Sequence, residues 1–377
     1  MVWGFGPTHS FLFLIETPSW LGRLMTAPSR RGSGEYILTT FADGLFQYGG
    51  QAVTPGVPVP FTGTHYWVDP VNGSDGNSGK TPDRAFSTLY KAHASCTAGK
   101  NDVVFLIGNG AASGTARLSA ASSVLVDSTL TTGELIWSKN ATHLIGVSAP
   151  GVNSRARISN PTGTYTAATF GSNTMMTVSG NGCYIANVSL TQSFSTGNAS
   201  EITMVVSGDY NVFNNVFLSG GLSAAAYGGT GSRALKITAA DENLFVNCQI
   251  GADTVTRSVL NANLELASAA ARNVFKGCVF PVYTSSATSV CILGTGAGCV
   301  DRFTLFDRCA FINAVDSGST GMTALANFTN AAPGGSLIFK DCDTIGMTKI
   351  GDTNALANSY VSGVGGAATG GLDVNPS

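Results

Sequence analysis

The sequence has few charged residues, and it lacks the charge pattern of a nucleic-acid-binding protein. Only 11% of its 377 residues are Asp, Glu, Lys or Arg, and the formal net charge is −2. Average proteins have about 25% charged residues. The densest basic stretch, Ser29–Gly32, holds only two arginines. Proteins that bind nucleic acid carry extended basic patches that neutralise phosphates. We therefore expect no nucleic-acid partner.

The N-terminus lacks the features of a membrane span or an export signal. The apolar stretch Phe11–Ile15 is too short to cross a bilayer, and Glu16 and Pro18 follow it. No Lys or Arg precedes this stretch, and no small-residue cleavage site follows it. We expect no membrane partner. Met25 stands at a second plausible start, so residues 1–24 are either an apolar arm or an upstream extension of the gene.

Motifs for metals and common cofactors are also missing. The chain has no Cys-x-x-Cys pair, and its four histidines are scattered at His9, His65, His93 and His143. Metal sites need such ligands in clusters. The sequence contains neither a Gly-x-Ser-x-Gly elbow nor a phosphate-binding loop. We expect no metal and no cofactor.

What the chain does contain is a repeat of eleven residues, present six times. Its copies are Val178–Val188, Val206–Val216, Thr238–Cys248, Ser268–Cys278, Cys299–Cys309 and Ala332–Cys342. The eighth column is apolar in every copy and reads Ile185, Phe213, Phe245, Phe275, Phe306 and Phe339. The last column reads Val188, Val216, Cys248, Cys278, Cys309 and Cys342.

Apolar columns of the repeat alternate with polar or small ones, which is the period of a strand with one buried face. Successive copies are 28 to 33 residues apart. Constant columns at variable spacing predict stacked coils whose differences in length lie in loops. The sequence therefore predicts an all-β solenoid with regular coils over about residues 174–346.

Two further columns have a structural interpretation. Coils of such a solenoid lie about 4.8 Å apart, within the range that disulfides bridge. Side chains in one column point the same way, however, and a thiol is a small apolar core group. We interpret Cys248, Cys278, Cys309 and Cys342 as reduced and buried, as in a reducing cytoplasm, with inter-coil disulfides as the alternative. The sixth column holds the predicted hydrogen-bonded ladder of Asn211, Asn243 and Asn273.

The repeats divide the chain into three segments. Residues 1–63 form an N-terminal arm with a proline-rich strap, residues 64–362 the solenoid, and residues 363–377 a tail. Three prolines at 55–60 fix the strap in an extended form, which either reaches another subunit or runs over the protein's own surface. Thr81-Pro82-Asp83 predicts the start of a helix over about residues 82–97 that covers an open strand edge.

Paired acids, which polysaccharide hydrolysis requires, are scarce. Glycosidases use two carboxylates about 5–10 Å apart. Asp209 and Asp241 share the fourth column, but Ala271 and Arg302 follow them there. We interpret the two acids as polar turn positions and assign no catalytic residue. Near the solenoid's start, Asp69, Asp75 and Asn77 fit either a calcium site or a hydrogen-bonded turn.

Several segments carry a resemblance to a known family. They are Tyr66–Asp69, Gly73–Gly79, Thr81–Pro82, Ala85–Leu89 with Ala92, and Asn243–Cys248. Over about residues 64–350 the chain resembles right-handed parallel β-helix proteins of the pectate-lyase-like group. The resemblance implies a single-stranded right-handed parallel β-helix with an N-terminal capping helix. It does not fix the activity, because lyases, hydrolases, tailspikes and purely structural proteins share this fold.

The proline-strapped arm in front of the β-helix resembles that of bacteriophage virion proteins. This resemblance implies a homotrimer in the virion, assembled in the host cytoplasm. We expect a non-enzymatic structural protein, a capsid decoration or head spike. Its residues 1–60 would contact the major capsid protein or other virion proteins. The alternative is a tailspike or receptor-binding protein that binds or depolymerises a host-surface polysaccharide, with a host glycan as partner.

Overall fold

The computed structural model describes residues 30–31, 35–36, 62–149, 156–194, 200–223, 229–313 and 320–361. The chain divides into two units, Met1–Pro58 and Val59–Ser377. In the first, β1 (Arg30–Arg31) and β2 (Glu35–Tyr36) pair antiparallel. The proline-rich strap, the rest of the predicted arm up to residue 61 and the predicted tail lie outside the described residues.

The second unit is a succession of short strands. In chain order they are β3 (His65–Val68), β4 (Asp102–Ile107), β5 (Ala116–Arg117), β6 (Leu135–Trp137), β7 (Thr142–Val147), β8 (Arg157–Ser159), β9 (Thr174–Val178), β10 (Tyr184–Ala186), β11 (Ser189–Gln192), β12 (Ile202–Val206), β13 (Val212–Asn214), β14 (Phe217–Gly221), β15 (Arg233–Thr238), β16 (Leu244–Val246), β17 (Gln249–Ile250), β18 (Ala262–Ala267), β19 (Ala270–Lys276), β20 (Val279–Val282), β21 (Val290–Thr295), β22 (Val300–Asp307), β23 (Ala310–Asn313), β24 (Met322–Phe328), β25 (Gly335–Lys340), β26 (Asp343–Ile345), β27 (Met347–Gly351) and β28 (Ser359–Val361).

These strands form three sheets. The first sheet has ten strands in the order β3-β4-β7-β10-β13-β16-β19-β22-β25-β28. The second has eight, β5-β8-β11-β14-β17-β20-β23-β26, and the third has eight, β6-β9-β12-β15-β18-β21-β24-β27. Each regular coil runs from the third sheet through the first to the second, and neighbouring coils pair parallel. The predicted parallel β-helix is confirmed.

Helices are few and short among the described residues. They are α1 (Leu89–Ser95), α2 (Ala120–Val124), α3 (Ala167–Phe170) and α4 (Thr353–Leu356), with 3-10 turns at Pro82–Arg84 and Ala112–Gly114. Within these described ranges, no helix has the length and apolar character needed to span a bilayer.

The core of the coils is a stack of phenylalanine rings. Residues of the eighth repeat column are register partners on neighbouring strands of the first sheet. The first such pair is Ile185 with Phe213, and the last is Phe306 with Phe339. Ring centroids are 4.5 Å apart for Phe213 and Phe245, and 5.1 Å apart for Phe306 and Phe339. Such stacked aromatic contacts add to the burial of apolar area, so each coil holds its neighbours in register.

The bend from the first sheet to the second explains the tenth repeat column. All six of its residues have positive φ: Asn187, Asn215, Asn247, Gly277, Arg308 and Asp341. This left-handed conformation turns the chain within one residue, and Gly, Asn and Asp adopt it most readily. The backbone therefore selects the polar residues of this column.

The predicted capping helix is shorter than its sequence signals indicate. Pro82–Arg84 forms only a 3-10 turn, and Thr81 makes no side-chain cap. The helix α1 begins at Leu89, where the hydroxyl of Thr88 accepts a hydrogen bond from the backbone N–H of Lys91. The expected start at residue 82 is therefore wrong by about two turns of helix.

The tertiary contacts of the intervening residues explain this difference. Phe86 forms a parallel bridge with Val68 at the edge of the first sheet. The carboxylate of Asp75 accepts the backbone N–H groups of Ser87 and Thr88 at 2.9 and 3.0 Å. Both contacts require an extended chain before the helix. From Leu89 onward, α1 contacts β3, β4 and β6 at the start of the solenoid.

Candidate functional site

The ladder residues expected from the sequence are almost all buried. Each thiol of the last column donates a hydrogen bond to the carbonyl of a phenylalanine in the preceding coil, for example Cys278 Sγ to Phe245 O at 3.5 Å. All eight cysteines are free, and Cys342, near the last coil, is the one that is partly exposed. Burial raises the pKa of the Cys278 thiol well above its ordinary value. Apart from Cys342, these residues serve the core and offer no surface to a ligand.

The asparagine column connects side chains to the backbone of neighbouring coils. The Oδ1 atom of Asn243 accepts the backbone N–H of Asn211 at 2.9 Å, and Oδ1 of Asn273 accepts that of Asn243 at 3.0 Å. At one end, Oδ1 of Asn211 accepts the N–H of Cys183 at 2.7 Å. All three asparagines are fully buried, so the column satisfies backbone donors at the turn that enters the first sheet.

Asp209 and Asp241 belong to a similar hydrogen-bonded ladder. A carboxylate oxygen of Asp209 accepts the backbone N–H of Asp241 at 2.9 Å, and one of Asp241 accepts that of Ala271 at 3.1 Å. Asp69 likewise accepts the backbone N–H groups of Val71 and Asn72 in its own turn. In the part of the chain that the structure describes, no group of three or more His, Cys, Asp or Glu side chains could hold a metal ion.

The outer face of the third sheet carries a different column of side chains. Its register places one residue from each coil in line: Ile136, Thr177, Val205, Lys236, Glu265, Leu293 and Asn327. Toward the start of the solenoid the column is open, since Ile136 is 43% exposed. Farther along, Leu293 is buried with Leu260 and Val290 in a small apolar cluster outside the main core. The column is therefore buried at Glu265 and Leu293, whereas Thr177, Val205 and Lys236 are half-buried.

An ion cluster stands in the middle of this outer face. The two carboxylate oxygens of Glu265 bind Arg233 Nε at 2.9 Å and Lys236 Nζ at 3.0 Å. The hydroxyl of Thr295 donates to the same carboxylate at 2.9 Å. The side chains of Arg233 and Glu265 are 4% and 8% exposed, whereas that of Lys236 is 29% exposed. Lys236 is therefore the member of the cluster that solvent, or a ligand, can reach.

The electrostatics of the cluster keep Glu265 ionised. Burial alone would raise the pKa of Glu265, but the attraction of Arg233 and the contacts with Lys236 and Thr295 hold it below the ordinary value. Burial lowers the pKa of Arg233 in spite of its carboxylate partner. A carboxylate paired with two cations at this depth is a costly arrangement. Ionisable groups with shifted pKa values are frequent at functional sites.

A second buried cation, Arg257, approaches the same face. Its Nη2 donates to Oδ1 of Asn263, which lies two residues before Glu265 in β18, and Arg257 is 1% exposed. Glu201 is fully buried, and its carbonyl accepts the backbone N–H of Arg233 at 2.9 Å. Within the ion cluster, Arg233 and Lys236 carry two positive charges and Glu265 one negative charge, so the cluster has an excess of positive charge.

Glu134, which contacts the outer column through Thr177, lies too far from Glu265 for paired acid catalysis. Glu134 accepts hydrogen bonds from Ser172 at 2.8 Å and from Thr177 at 2.5 Å. Thr177 and Glu265 are three coil steps apart in register, which is about 14 Å at about 4.8 Å a step. Two-carboxylate hydrolysis needs roughly 5–9.5 Å. On the described outer face, Glu134 and Glu265 do not form a glycosidase pair.

The eleven-residue repeat does not predict this cluster, because the residues of the outer column lie at different distances from the start of each repeat. Thr177 and Val205 precede their repeats by one residue, Lys236 by two and Glu265 by three. The turn from the third sheet to the first varies in length, so the outer column has no fixed place in an alignment of the repeats. Only the spatial register brings Lys236 beside Glu265.

Comparison with solved structures finds the same fold in other proteins. A rhamnogalacturonan lyase superposes with a TM-score of 0.51 at 15% identity, over 75% of this chain and 68% of that one. A pectin methylesterase from Aspergillus niger superposes with a TM-score of 0.49 at 12% identity, over 81% of this chain and 91% of that one. A pectin methylesterase from Erwinia chrysanthemi superposes with a TM-score of 0.47 at 13% identity, over 80% of this chain and 91% of that one. No protein-family model matches the chain, and no curated protein matches its sequence.

These comparisons correct the expectation of a non-enzymatic chain. The pectate-lyase-like right-handed parallel β-helix is shared with a rhamnogalacturonan lyase, so the fold is one that carbohydrate-active enzymes use. The expectation depended on the scarcity of acids, the reduced core cysteines, the missing export signal and the arm of residues 1–60. Glu134, Glu201 and Glu265 all lie outside the eleven-residue repeat, in which acids are scarce.

Proposed function

We propose that the chain is a carbohydrate-active protein that binds an acidic polysaccharide along the outer face of the third sheet. The observation that carries this proposal is the cluster of Lys236, Glu265 and Arg233 on that face. A column of side chains at regular coil spacing fits an extended polymer better than a compact ligand. The rhamnogalacturonan lyase with the same fold gives independent support for a polysaccharide as the substrate class.

Lys236 is the group that would meet the ligand. Its ammonium is partly exposed, and Glu265 and Arg233 behind it are nearly buried. Glu265 therefore fixes the position of Nζ, and the excess positive charge of the cluster favours an anionic sugar such as a uronate. A charge-assisted hydrogen bond to a carboxylate contributes about 1.5–3 kcal/mol.

For cleavage, the cluster fits elimination better than hydrolysis. Elimination transfers the proton α to a uronate carboxylate to a base from the solvent, while the C=C bond forms and the glycosidic oxygen leaves the β carbon. Cations beside the carboxylate stabilise the charge that develops. Hydrolysis by the usual route would need a second carboxylate close to Glu265, and Glu134 is about 14 Å or more along the face. Lys236 would thus act on the substrate as an electrostatic stabiliser.

A panel of acidic and neutral polysaccharides tests this proposal. We expect binding of at least one uronate-containing polymer, and Lys236→Ala should weaken it about ten-fold or more. Lys276→Ala is the matched control, since Lys276 is an exposed lysine at the end of β19 in the first sheet. Unsaturated products absorbing in the ultraviolet would report elimination. Binding of no acidic polymer, or equal affinity for Lys236→Ala and the wild type, would contradict the proposal.

The biological setting that we propose is a virion. The chain would be a tailspike or receptor-binding subunit that binds or depolymerises a host-surface polysaccharide. Support for this setting comes from the resemblance of the proline-strapped arm to phage proteins. We further propose a homotrimer whose residues 1–60 contact other virion proteins. Mass spectrometry of purified virions and light scattering of the isolated protein test the two statements separately.

A further inference from the structure

We propose that a row of four hydroxyls beside the outer column binds the sugars next to the one that contacts Lys236. This hydroxyl row consists of one residue from each of four successive coils: Ser138, Ser179, Ser207 and Thr238. The inference rests on the proposed function. It adds a direction to that function, because the polysaccharide would extend from Lys236 toward the start of the solenoid.

The strand register places the hydroxyl row on the same face as the ion cluster. Thr238 lies in β15, two residues after Lys236, and side chains two residues apart in a strand point to the same side. The other three members also follow a member of the outer column by two residues, each in an earlier coil: Ser138 after Ile136, Ser179 after Thr177 and Ser207 after Val205. The row therefore runs parallel to the outer column, with about 4.8 Å between coils.

Two serines of the row follow the last residue of their strands, and they keep the pairing of those strands. The backbone N–H of Ser179 donates to Trp137 O at 3.1 Å, and that of Ser207 donates to Val178 O at 3.0 Å. Val178 and Val206, directly before the two serines, are fully buried in the core. Alternation along the chain then directs both serine side chains outward.

The fold makes no use of these four hydroxyls. Among the described residues, none of them takes part in a hydrogen bond. Farther along the same line, the hydroxyl of Thr295 donates to Glu265 at 2.9 Å, and that of Thr329 donates to Gly294 O at 3.2 Å. Ser138 is exposed and the other three members of the row are half-buried. All four are therefore accessible to the hydroxyls of a ligand, with which they can exchange donor and acceptor roles.

The hydroxyl row extends from the ion cluster toward β6. On the other side, the register partner of Thr238 is Ala267, which is 6% exposed and has no hydroxyl. Leu293, in the coil after that, is packed with Leu260 and Val290. The four hydroxyls span three coil steps, about 14 Å. An extended polymer with one carboxylate on Lys236 would place its following sugars over β12, β9 and β6.

The outer column and the hydroxyl row together match the two kinds of surface that a pyranose ring has. In the outer column, Ile136 is 43% exposed and Val205 is half-buried, so they offer apolar surface to the C–H groups of the ring. The hydroxyl row beside them offers neutral hydrogen-bonding groups to the ring hydroxyls. Ligand sites commonly combine apolar surface with a few polar groups that fix the orientation of the ligand. The row would bind sugar hydroxyls, and Lys236 the carboxylate.

The double variant Ser207→Ala, Thr238→Val tests this inference, because it removes two hydroxyls and keeps Lys236. We expect its affinity for the acidic polysaccharide to fall about five-fold or more. Since the fold uses neither hydroxyl, the unfolding temperature should stay within about 2 °C of the wild type. Ser336→Ala is the matched control, since Ser336 is a half-buried serine of β25 in the first sheet, and it should bind like the wild type. Titration calorimetry and thermal unfolding give the two readouts.

Oligomers of increasing length, prepared from the uronate polymer that the wild type binds most tightly, measure the extent of the row. Affinity should rise with each added sugar until the oligomer is as long as the row, and it should rise less for the double variant. An affinity that does not depend on length would overturn the inference.

The outcomes separate this inference from the proposed function. If the double variant binds as tightly as the wild type while Lys236→Ala does not, the hydroxyl row is wrong and the proposed function stands. If the wild type binds no acidic polysaccharide, both are wrong. An equal loss of affinity in Ser336→Ala would also overturn the inference, and so would a large fall in the stability of the double variant, since the hydroxyls would then serve the fold.

Discussion

At the scale of single residues, burial decides the chemistry of the thiols. Cys291 is fully buried, and burial raises its pKa to about 12. Cys278 and Cys309 are buried within the ladder, whereas Cys342 is partly exposed. A thiol reacts as the thiolate, so a buried, protonated thiol is inert. The free state of the seven buried cysteines is therefore protected by burial, whereas Cys342 is accessible.

Thiol titration of the native protein checks this account. We expect Cys342 to react first with an aromatic disulfide reagent and the seven other thiols to react only on unfolding, giving eight in total. Cys342→Ser should remove the fast phase. Fast reaction of several thiols in the native state, or a total below eight after unfolding, would contradict the description of a reduced and buried ladder.

Two buried histidines make the stability of the fold sensitive to acid. Burial lowers the pKa of both His93 and His143 from 6.5 to about 4. The Nδ1 atom of His143 accepts the backbone N–H of Tyr184 at 3.0 Å, which only the unprotonated nitrogen can do. A depressed pKa means that the unfolded chain binds protons first as the pH falls. The resulting stability is complete above about pH 6.5 and is lost toward pH 4.

Denaturant unfolding at pH 7 and pH 4.5 measures this effect. We expect a loss of up to about 3 kcal/mol for each histidine over this range. His143→Asn keeps an acceptor near the Nδ1 position but has no proton to gain, so its stability should fall less on acidification. An equal fall for the variant and the wild type would assign the acid sensitivity to other groups.

At the scale of elements, the asparagine column holds the turns of neighbouring coils together. Asn243→Ala removes the acceptor of the Asn211 backbone N–H and leaves that donor buried. We expect a loss of about 1–3 kcal/mol in the free energy of unfolding. Asn327→Ala, on the outer face of the third sheet, is the comparison and should cost much less. Equal effects in denaturant unfolding would show that the ladder bonds contribute nothing specific.

The elements also show how far the sequence could predict this structure. The eighth column predicts the stack from Phe213 to Phe339. It does so because the number of residues between the turn that enters the first sheet and this column is the same in every coil. The ion cluster on the third sheet escaped prediction because the turn that follows Lys236 and Glu265 changes length from coil to coil. The start of α1 was misjudged since Pro82 is a local signal, whereas the bridge between Phe86 and Val68 is a long-range contact.

At the scale of the whole molecule, the solenoid is a sum of nearest-neighbour contacts. Each coil touches the coils before and after it, so stability accumulates along the stack. The described core cluster begins at Tyr66 and continues through Val361, and all of it belongs to the second unit, Val59–Ser377. The second unit therefore contains the described contacts that hold the β-helix together.

Deletion of residues 1–58 tests this division of the chain. We expect the shortened protein to unfold within about 2 °C of the full chain and to keep its affinity for the acidic polysaccharide, because the core and the ion cluster are both intact. If residues 1–60 contact other virion proteins, as we propose, the same deletion should abolish incorporation into particles. Circular dichroism, calorimetry and analysis of assembled particles supply the three measurements. A shortened chain that aggregates, or that unfolds at a much lower temperature, would show that the first unit contributes to the stability of the solenoid. The assignment of virion contacts to the first unit and of polysaccharide binding to the second would then be wrong.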